Sequence, residues 1–129
     1  MAHAVTAGQL DALRWSKRVF VVFADDAGLI ERQLSALPKR ELAERDMVLL
    51  VVPSRGEVSV GAGKLEDIPS SISLRQRFRV ASDSPFVAVL VGKDGGVKAR
   101  KTQPVSAEAL FGLIDSMPMR RQEMRTQDR

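Results

Sequence analysis

Three apolar runs and one alternating run divide the chain into predicted β-strands. The apolar runs cover residues 18–23, 47–52 and 86–91, and they are rich in Val, Leu and Phe. Such runs are typical of strands that are covered on both faces of a sheet. Residues 97–101 alternate between apolar and polar side chains. This alternation indicates an edge strand, whose charges discourage further pairing.

A first amphipathic helix is predicted directly after the strand at 18–23. It begins at Asp25 or Asp26, because either carboxylate can accept hydrogen bonds from the first helical turn. Gln33 falls on the buried face of this helix, so its amide needs partners inside the protein. The apolar positions of that face follow at spacings of three and four, and they are Ala27, Ile30, Leu34 and Leu37.

Other helices follow from the same periodicity. A short helix at 7–15 is expected to place Trp15 beside the first strand, and another helix is predicted at 69–78. A further helix begins at Ser106, and its buried stripe is predicted to be Leu110, Leu113, Ile114 and Met117. Pro118 is expected to kink or end this helix.

Two turn regions complete the pattern. The sequence Lys-Asp-Gly-Gly at 93–96 is a hairpin signal, because two-residue turns need residues that tolerate positive φ. Residues 57–60 alternate polar and apolar side chains. They favour either a short edge strand or a hairpin.

Length and composition define one domain that spans residues 1–129. Residues 1–6 are predicted to be disordered or foreign to the natural chain, and 119–129 to form a polar, partly disordered tail. The net charge of +4 is scattered, apart from arginines near the end of the chain. A solvated surface explains this charge best, with an acidic partner as the alternative.

The absence of cysteine removes several classes of chemistry. The chain has no Cys, and its single histidine is His3. Thiolate catalysis, disulfides and cysteine metal sites are therefore excluded, and a Ser-His-Asp triad is disfavoured. We predict no metal and no cofactor.

The compartment depends on the natural N-terminus. The first ten residues lack the apolar core of a signal peptide, and no apolar run reaches the roughly 20 residues of a membrane span. The protein is expected to be periplasmic or secreted if a native signal peptide was removed, and cytoplasmic otherwise.

The order of predicted elements resembles the thioredoxin fold. Residues 22–26, followed by Ala27, Gly28 and Ile30, are similar to the thioredoxin strand and its Cys-Gly-Pro-Cys motif, with Ala27 and Ile30 at the cysteine positions. The resemblance implies an α/β domain with a mixed four-stranded sheet in the order second-first-third-fourth. The third strand runs antiparallel to the first two. It also places Pro85 at the position of the cis-proline and predicts a cis bond between Ser84 and Pro85.

A closer resemblance is to a family of thioredoxin-like domains of unknown function. This family occurs in bacteria and in animal extracellular proteins that contain sushi repeats or coiled coils. The resemblance extends from about residue 10 to residue 125 and implies a fold without an established activity. It rests on these strings: Leu13-x-Trp15-x-x-Arg18-Val19, Gln33, Glu44-Arg45-Asp46, Leu74-Arg75, Gly92 to Lys98, and Ile114-Asp115-x-Met117-Pro118-Met119-Arg120-Arg121-x-Glu123-Met124.

The first functional interpretation is a non-catalytic binding module without thiol redox activity. In the thioredoxin fold, a groove between the helix after the first strand and the cis-proline loop can hold an extended peptide, so a protein or peptide partner is expected. The residues of that surface are Asp25, Asp26, Ala27, Gly28, Ser84 and Pro85.

Two alternatives stay open. One is an enzyme that works without cysteine through Asp25 and Asp26, or through Lys93 and Asp94, although helix capping and a hairpin turn explain these residues better. The other is binding of an acidic protein, a membrane surface, nucleic acid or Cu(I) by the Met- and Arg-rich end of the chain. Nucleic acid is disfavoured, because the chain has no Tyr and five Phe for base stacking.

The charged residues of the family strings allow a structural reading as well. If Pro118 turns the chain back across the domain, Arg120 and Arg121 could reach Asp46 or Asp115 and form a clasp. The residues of this predicted polar cluster, which is structural or functional, are Arg18, Gln33, Arg45, Asp46 and Arg75.

Overall fold

A central β-sheet organises the protein, whose computed structural model describes residues 7–127, with side chains from Leu10 onward. The predicted disorder of residues 1–6 lies outside the described residues. The strands are β1 (Arg18–Ala24), β2 (Met47–Val52), β3 (Ser59–Ala62), β4 (Phe86–Val91) and β5 (Val97–Lys101). Their order in the sheet is β3-β2-β1-β4-β5.

The pairing of β1 sets the direction of the whole sheet. It runs parallel to β2, with Arg18 opposite Met47. It runs antiparallel to β4, with Val19 opposite Val91 and Ala24 opposite Phe86. The predicted order and directions of the four strands are therefore confirmed.

The sheet has one strand more than the four predicted. β3 pairs antiparallel with β2 at the edge, and its register shifts between Leu49 and Leu50. The alternation at 57–60 was one sign of this strand, which lies two residues further along the chain. Its side chains are exposed or half-buried, so it lacks the apolar run that marks the central strands.

Helices cover both faces of the sheet. A 3-10 helix at Ala7–Leu13 precedes α1 (Ala27–Ala36), α2 (Lys39–Glu44), α3 (Ser71–Phe78), α4 (Ala107–Asp115) and α5 (Pro118–Gln127). Ser70 caps α3 by accepting from Ser73 N, and Ser106 caps α4 by accepting from Ala109 N. A serine hydroxyl satisfies an N–H group that has no partner inside the helix.

The core has two layers, one on each face of the sheet. One layer packs Leu10, Leu74 and Phe78 against β1, β2 and β4. The other packs side chains of α1, α2 and α4 against the opposite face, among them Leu42 and Ile114. The strands of the centre are buried along their whole length, as their apolar runs predict.

Three expectations about side chains and the chain end were wrong. Residues 118–127 form helix α5 instead of a disordered tail, and Pro118 is its first residue, where a missing N–H costs nothing. Trp15 does not pack beside β1 but is 64% exposed. On α4, Phe111 is buried while Leu113 is 37% exposed.

Candidate functional site

The carboxyl end of the sheet, where β1 and β2 finish, brings together the two parts of the predicted peptide surface. Ala24, the last residue of β1, pairs with Phe86, the first residue of β4. Asp25 comes directly after the first and Pro85 directly before the second, so both lie at this end of neighbouring strands. Asp26, Ala27 and Gly28 are exposed there as well. Residues 25–28 and 84–85 thus lie at the same end of the sheet.

Each aspartate of this end has a backbone partner of its own. Asp26 Oδ1 accepts from Leu29 N at 2.9 Å and caps α1. Asp25 Oδ1 accepts from Ser54 N at 2.8 Å, in the loop that follows β2. Hydrogen bonds from Ser54 hold the pKa of Asp25 below its ordinary value, and the charge of Arg75 has a smaller effect in the same direction. Two carboxylates with separate partners do not form a pair that shares a proton.

The predicted cis bond before Pro85 is wrong. The described residues contain no cis peptide bond, so the bond between Ser84 and Pro85 is trans. The chain enters β4 from a turn in which Ser84 N donates to Ala81 O at 3.2 Å, and Pro85 is exposed. The trans form is the intrinsically favoured one for X-Pro bonds, by about 0.5–1 kcal/mol. The resemblance to thioredoxin therefore does not extend to the conformation of this bond.

Arg75 is buried at the same end and binds backbone carbonyls. Its guanidinium donates to Val52 O at 3.3 Å, Pro53 O at 3.3 Å and Ala81 O at 2.9 Å. It also lies 5.5 Å from the ring centroid of Phe23. Arg75 therefore joins the end of β2 to the loop before β4 and has a structural role.

A cleft of about 710 Å³ opens beside this end, between the loop after β2 and the start of α3. Residues 54–58 form one wall and residues 68–72 the other. Two apolar side chains of this cleft face solvent: Ile68 is 37% exposed and Ile72 is 69% exposed. Sequence reasoning missed the cleft, because its walls come from segments without strong periodicity.

At the opposite, amino end of the sheet, an ion pair joins β1 to α5. Arg18, the first residue of β1, is 1% exposed. Its Nη1 donates to Glu123 Oε1 at 3.2 Å, and its Nη2 donates to Glu123 Oε2 at 3.2 Å. Arg18 Nη1 also donates to Arg45 O at 3.0 Å. Two parallel hydrogen bonds fix the orientation of both side chains.

Lys93 extends this ion pair to the β4–β5 hairpin. Its ammonium group donates to Glu123 Oε2 at 2.7 Å and to Asp46 Oδ2 at 2.8 Å. Lys93 is buried, whereas Asp94 beside it is exposed and accepts from Gly96 N at 2.9 Å. The predicted hairpin explains Asp94. It explains Lys93 only in part, because the lysine is also an ionic partner of α5.

A second set of ion pairs joins α2 to α4 and α5. Arg45 Nη2 donates to Asp115 Oδ2 at 2.8 Å, and Arg45 Nε donates to Asp115 Oδ1 at 3.1 Å. Arg120 Nε donates to Asp115 Oδ1 at 3.1 Å, and Arg120 Nη1 donates to Glu44 O at 3.1 Å. The guanidinium of Arg45 also lies 4.3 Å from the ring centroid of Phe111.

We call these side chains the amino-end cluster: Arg18, Arg45, Asp46, Lys93, Asp115, Arg120 and Glu123. Burial raises the pKa of Asp115 and of Glu123, but hydrogen bonds from the neighbouring cations outweigh burial and hold both values below normal. Both carboxylates are therefore ionised at neutral pH. The cluster connects the start of β1, the end of α2, the β4–β5 hairpin and helices α4 and α5.

The structural reading of the chain end is thus correct in part. Arg120 reaches Asp115, as the clasp hypothesis requires, whereas Asp46 is bound by Lys93. Arg121 stays exposed. Sequence reasoning missed Glu123, although its spacing of three from Arg120 is the helical spacing at which such residues share a face.

Gln33, also predicted to be polar and buried, lies away from both ends and binds one residue twice. It is fully buried. Its Nε2 donates to Val105 O at 2.9 Å, and its Oε1 accepts from Val105 N at 2.7 Å. The amide therefore holds α1 to the segment before α4, which satisfies the requirement stated from the sequence.

Within residues 7–127, no group of three His, Cys, Asp or Glu side chains is arranged to hold a metal ion. In the same range, no helix has the length and apolar character needed to cross a bilayer.

The sheet order and the absence of cysteine define a class, the thioredoxin-like domains without redox thiols. Residues 9–123 match the model of a family described as Domain of unknown function (DUF4174), and the chain belongs to that family.

The chain is also similar to individual proteins. Coiled-coil domain-containing protein 80 of Danio rerio is 31% identical over 140 residues, which cover 92% of this chain and 16% of the relative. The chain therefore spans about a sixth of that relative's length. Reduced 2-Cys peroxiredoxin of Plasmodium vivax superposes with a TM-score of 0.60 at 16% identity, over 88% of this chain and 84% of that chain. Thioredoxin peroxidase I of Plasmodium yoelii has a TM-score of 0.47 at 19% identity, over 92% and 78%. The superposition with the Plasmodium vivax protein concerns the fold alone.

Proposed function

We propose that this chain is a non-catalytic binding module that holds an extended peptide segment at the carboxyl end of its sheet. The observation that carries the proposal is the exposed pair Ile68 and Ile72 on the wall of the 710 Å³ cleft. Exposed apolar side chains grouped at a cleft are characteristic of interaction sites. Ser54, which also lines the cleft, binds Asp25 and so joins it to the surface predicted from the sequence.

The charges around the cleft indicate which peptide fits. Arg55 and Glu57 line the wall with opposite charges. Asp25, which accepts from the N–H of Ser54 in the cleft wall, adds a carboxylate beside the cleft, and its lowered pKa keeps it ionised. A peptide with an apolar side chain next to a basic one would bury the first against Ile72 and place the second near Asp25.

The absence of thiols supports a role without redox turnover of this chain. In the resemblance to thioredoxin, Ala27 and Ile30 stand at the positions of the redox cysteines, and the chain contains no cysteine elsewhere. Asp25 and Asp26 bind backbone N–H groups. These two aspartates therefore serve a loop contact and a helix cap, and they are not paired with each other as an acid and a base.

The test is selection of peptides from a random ten-residue library, followed by fluorescence anisotropy with the selected sequences. We expect enrichment of an apolar residue beside Lys or Arg. We also expect roughly tenfold weaker binding for Ile72→Ser, about 1.4 kcal/mol of binding free energy. Val97→Ser is the matched control, because Val97 is exposed on β5 at the other edge of the sheet. Equal losses for both variants, or a selection without enrichment, would contradict the proposal.

A further inference from the structure

A second cleft, of about 640 Å³, lies at the amino end of the sheet, beside the amino-end cluster. Three segments surround it: the turn at Trp15, the β4–β5 hairpin and the junction between α4 and α5. It lies at the opposite end of β1 from the proposed peptide surface, so a ligand here is independent of that proposal.

The lining of this cleft combines an apolar wall with positive charge. The wall includes Trp15, Leu113 and Met119, which are 64%, 37% and 37% exposed. Among the described side chains that line the cleft, three are cations and one is a carboxylate. They are Arg18, Lys93, Lys98 and Asp94. A ligand that complements this lining carries negative charge at one end and an apolar body at the other.

The amino-end cluster contributes positive charge that its own carboxylates do not balance. Among its described side chains, four cations face three carboxylates. In addition, Arg18 Nε is buried and has no hydrogen-bond acceptor within residues 7–127. Buried polar groups of native proteins nearly always have a partner. The excess of one cation makes the neighbouring cleft electropositive and favours a single added negative charge there, although Arg18 Nε itself is too buried to contact the ligand.

Trp15 has an unusual backbone conformation at the rim of the cleft. Its φ is 74°, in the left-handed region that a bulky residue rarely adopts. Its N–H donates to Lys93 O, which ties this strained turn to the hairpin. The result is an indole held in solvent above the cationic lining. Strained residues that are fixed by their surroundings are concentrated at ligand sites.

Lys98 is the cation that a ligand can reach most easily. Its side chain is 33% exposed, and its ammonium donates to Asp94 Oδ2 at 2.7 Å. Partly exposed ion pairs of this kind contribute little stability. A ligand carboxylate can therefore accept a hydrogen bond from the Lys98 ammonium with little loss of stability. Lys93, in contrast, is already bound to two carboxylates.

We propose that this cleft binds a small organic monoanion, namely a carboxylate with an aromatic or aliphatic body. The carboxylate accepts hydrogen bonds at the Lys98 side of the lining, and the apolar body lies against Trp15 and Met119. A single charge is preferred, because Asp94 in the lining and Glu123 behind it repel additional negative charge.

Trp15 provides the signal for a direct test, since it is the one tryptophan in the sequence. We would titrate the full chain with 4-phenylbutyrate and with decanoate, and record indole fluorescence and isothermal calorimetry. The uncharged controls are 4-phenylbutyramide and decanamide, and acetate is the control without an apolar body. We expect saturable binding of the two acids. The amides and acetate should bind roughly tenfold more weakly or not at all, because the amides lack the charge and acetate lacks the apolar body. A tenfold difference corresponds to about 1.4 kcal/mol of binding free energy.

Two lysines of the same strand make a matched pair of variants. Lys98→Gln should weaken binding of 4-phenylbutyrate about fivefold to tenfold by calorimetry, because it removes a charge-assisted hydrogen bond. Lys101→Gln should leave the affinity unchanged, because Lys101 is exposed and does not line this cleft. Ile72→Ser should also leave the affinity for 4-phenylbutyrate unchanged, because Ile72 lines the other cleft. A failure of the peptide proposal can therefore be told apart from a failure of this one. Equal affinity for acid and amide, equal effects of the two lysine variants, or no binding by calorimetry would each overturn the inference.

Discussion

The two ends of the sheet use polar side chains in different ways. At the carboxyl end, Asp25, Asp26 and Arg75 bind backbone groups and shape loops and a helix start. At the amino end, Arg18 and Glu123 bind each other and connect elements that are 105 residues apart in the chain. At the end that holds the redox site in thioredoxins, the acidic residues therefore bind backbone N–H groups, and the most connected charges lie at the other end.

Burial explains why this difference matters for stability. Exposed ion pairs contribute about 0–1 kcal/mol, whereas removing one partner of a buried pair leaves an uncompensated charge and costs about 3–5 kcal/mol. Arg18 is 1% exposed, and the side chain of Glu123 is 22% exposed. Variants at the amino end should thus be more damaging than equivalent variants at the carboxyl end.

The largest effect is expected for Glu123→Ala. The substitution leaves Arg18 buried with no carboxylate partner, and Lys93 retains only Asp46. We expect the free energy of unfolding in urea to fall by about 3 kcal/mol, at the low end for buried pairs because Glu123 is partly exposed. Gln122→Ala is the control, since Gln122 is exposed on the same helix. A loss for Glu123→Ala no larger than that of the control would show that α5 is not a structural clasp.

The sequence predicted the sheet better than this cluster, and the reason is the type of pattern each requires. The strands at 47–52, 86–91 and 97–101 were predicted with the bounds that the structure has. The first two are buried along their whole length and show it as an apolar run, whereas the third is an exposed edge strand that alternation and the hairpin turn identified. Helix α5 packs a charged face on charged partners, so it has no apolar stripe and resembles a tail. The trans bond at Pro85 depends on the preceding turn, which a family resemblance did not specify.

A smaller effect should separate the two neighbouring residues of the hairpin turn. Lys93→Met removes hydrogen bonds to Glu123 and Asp46 from a buried position. We expect a loss of about 2 kcal/mol, as for hydrogen bonds between charged groups. Asp94→Ala acts on an exposed pair with Lys98 and should cost less than about 1 kcal/mol. Similar losses for both variants in urea unfolding would mean that Lys93 serves the turn alone.

The pH dependence of stability should also come from the amino end. The pKa values of Asp115 and Glu123 are lowered in the folded protein, and the unfolded values are about 3.9 and 4.3. A lowered folded pKa stabilises the protein fully above the unfolded pKa, and this contribution is lost as pH falls through the folded pKa. Stability should therefore decline below about pH 5. The decline should be shallower in the double variant Asp115→Asn/Glu123→Gln. Urea unfolding at several pH values measures this, and parallel curves for the two proteins would assign acid sensitivity to other groups.

The smallest effect is expected at the carboxyl end, for Asp26→Ala. Asp26 accepts one hydrogen bond from Leu29 N at 2.9 Å and caps α1. Loss of an N-cap side chain typically costs about 1 kcal/mol. Asp26→Asn should restore most of the loss, because the amide oxygen can accept the same hydrogen bond without the charge. If Asp26→Ala instead cost as much as Glu123→Ala, the carboxylate would have a role beyond capping. The contrast between the two ends of the sheet would then not hold.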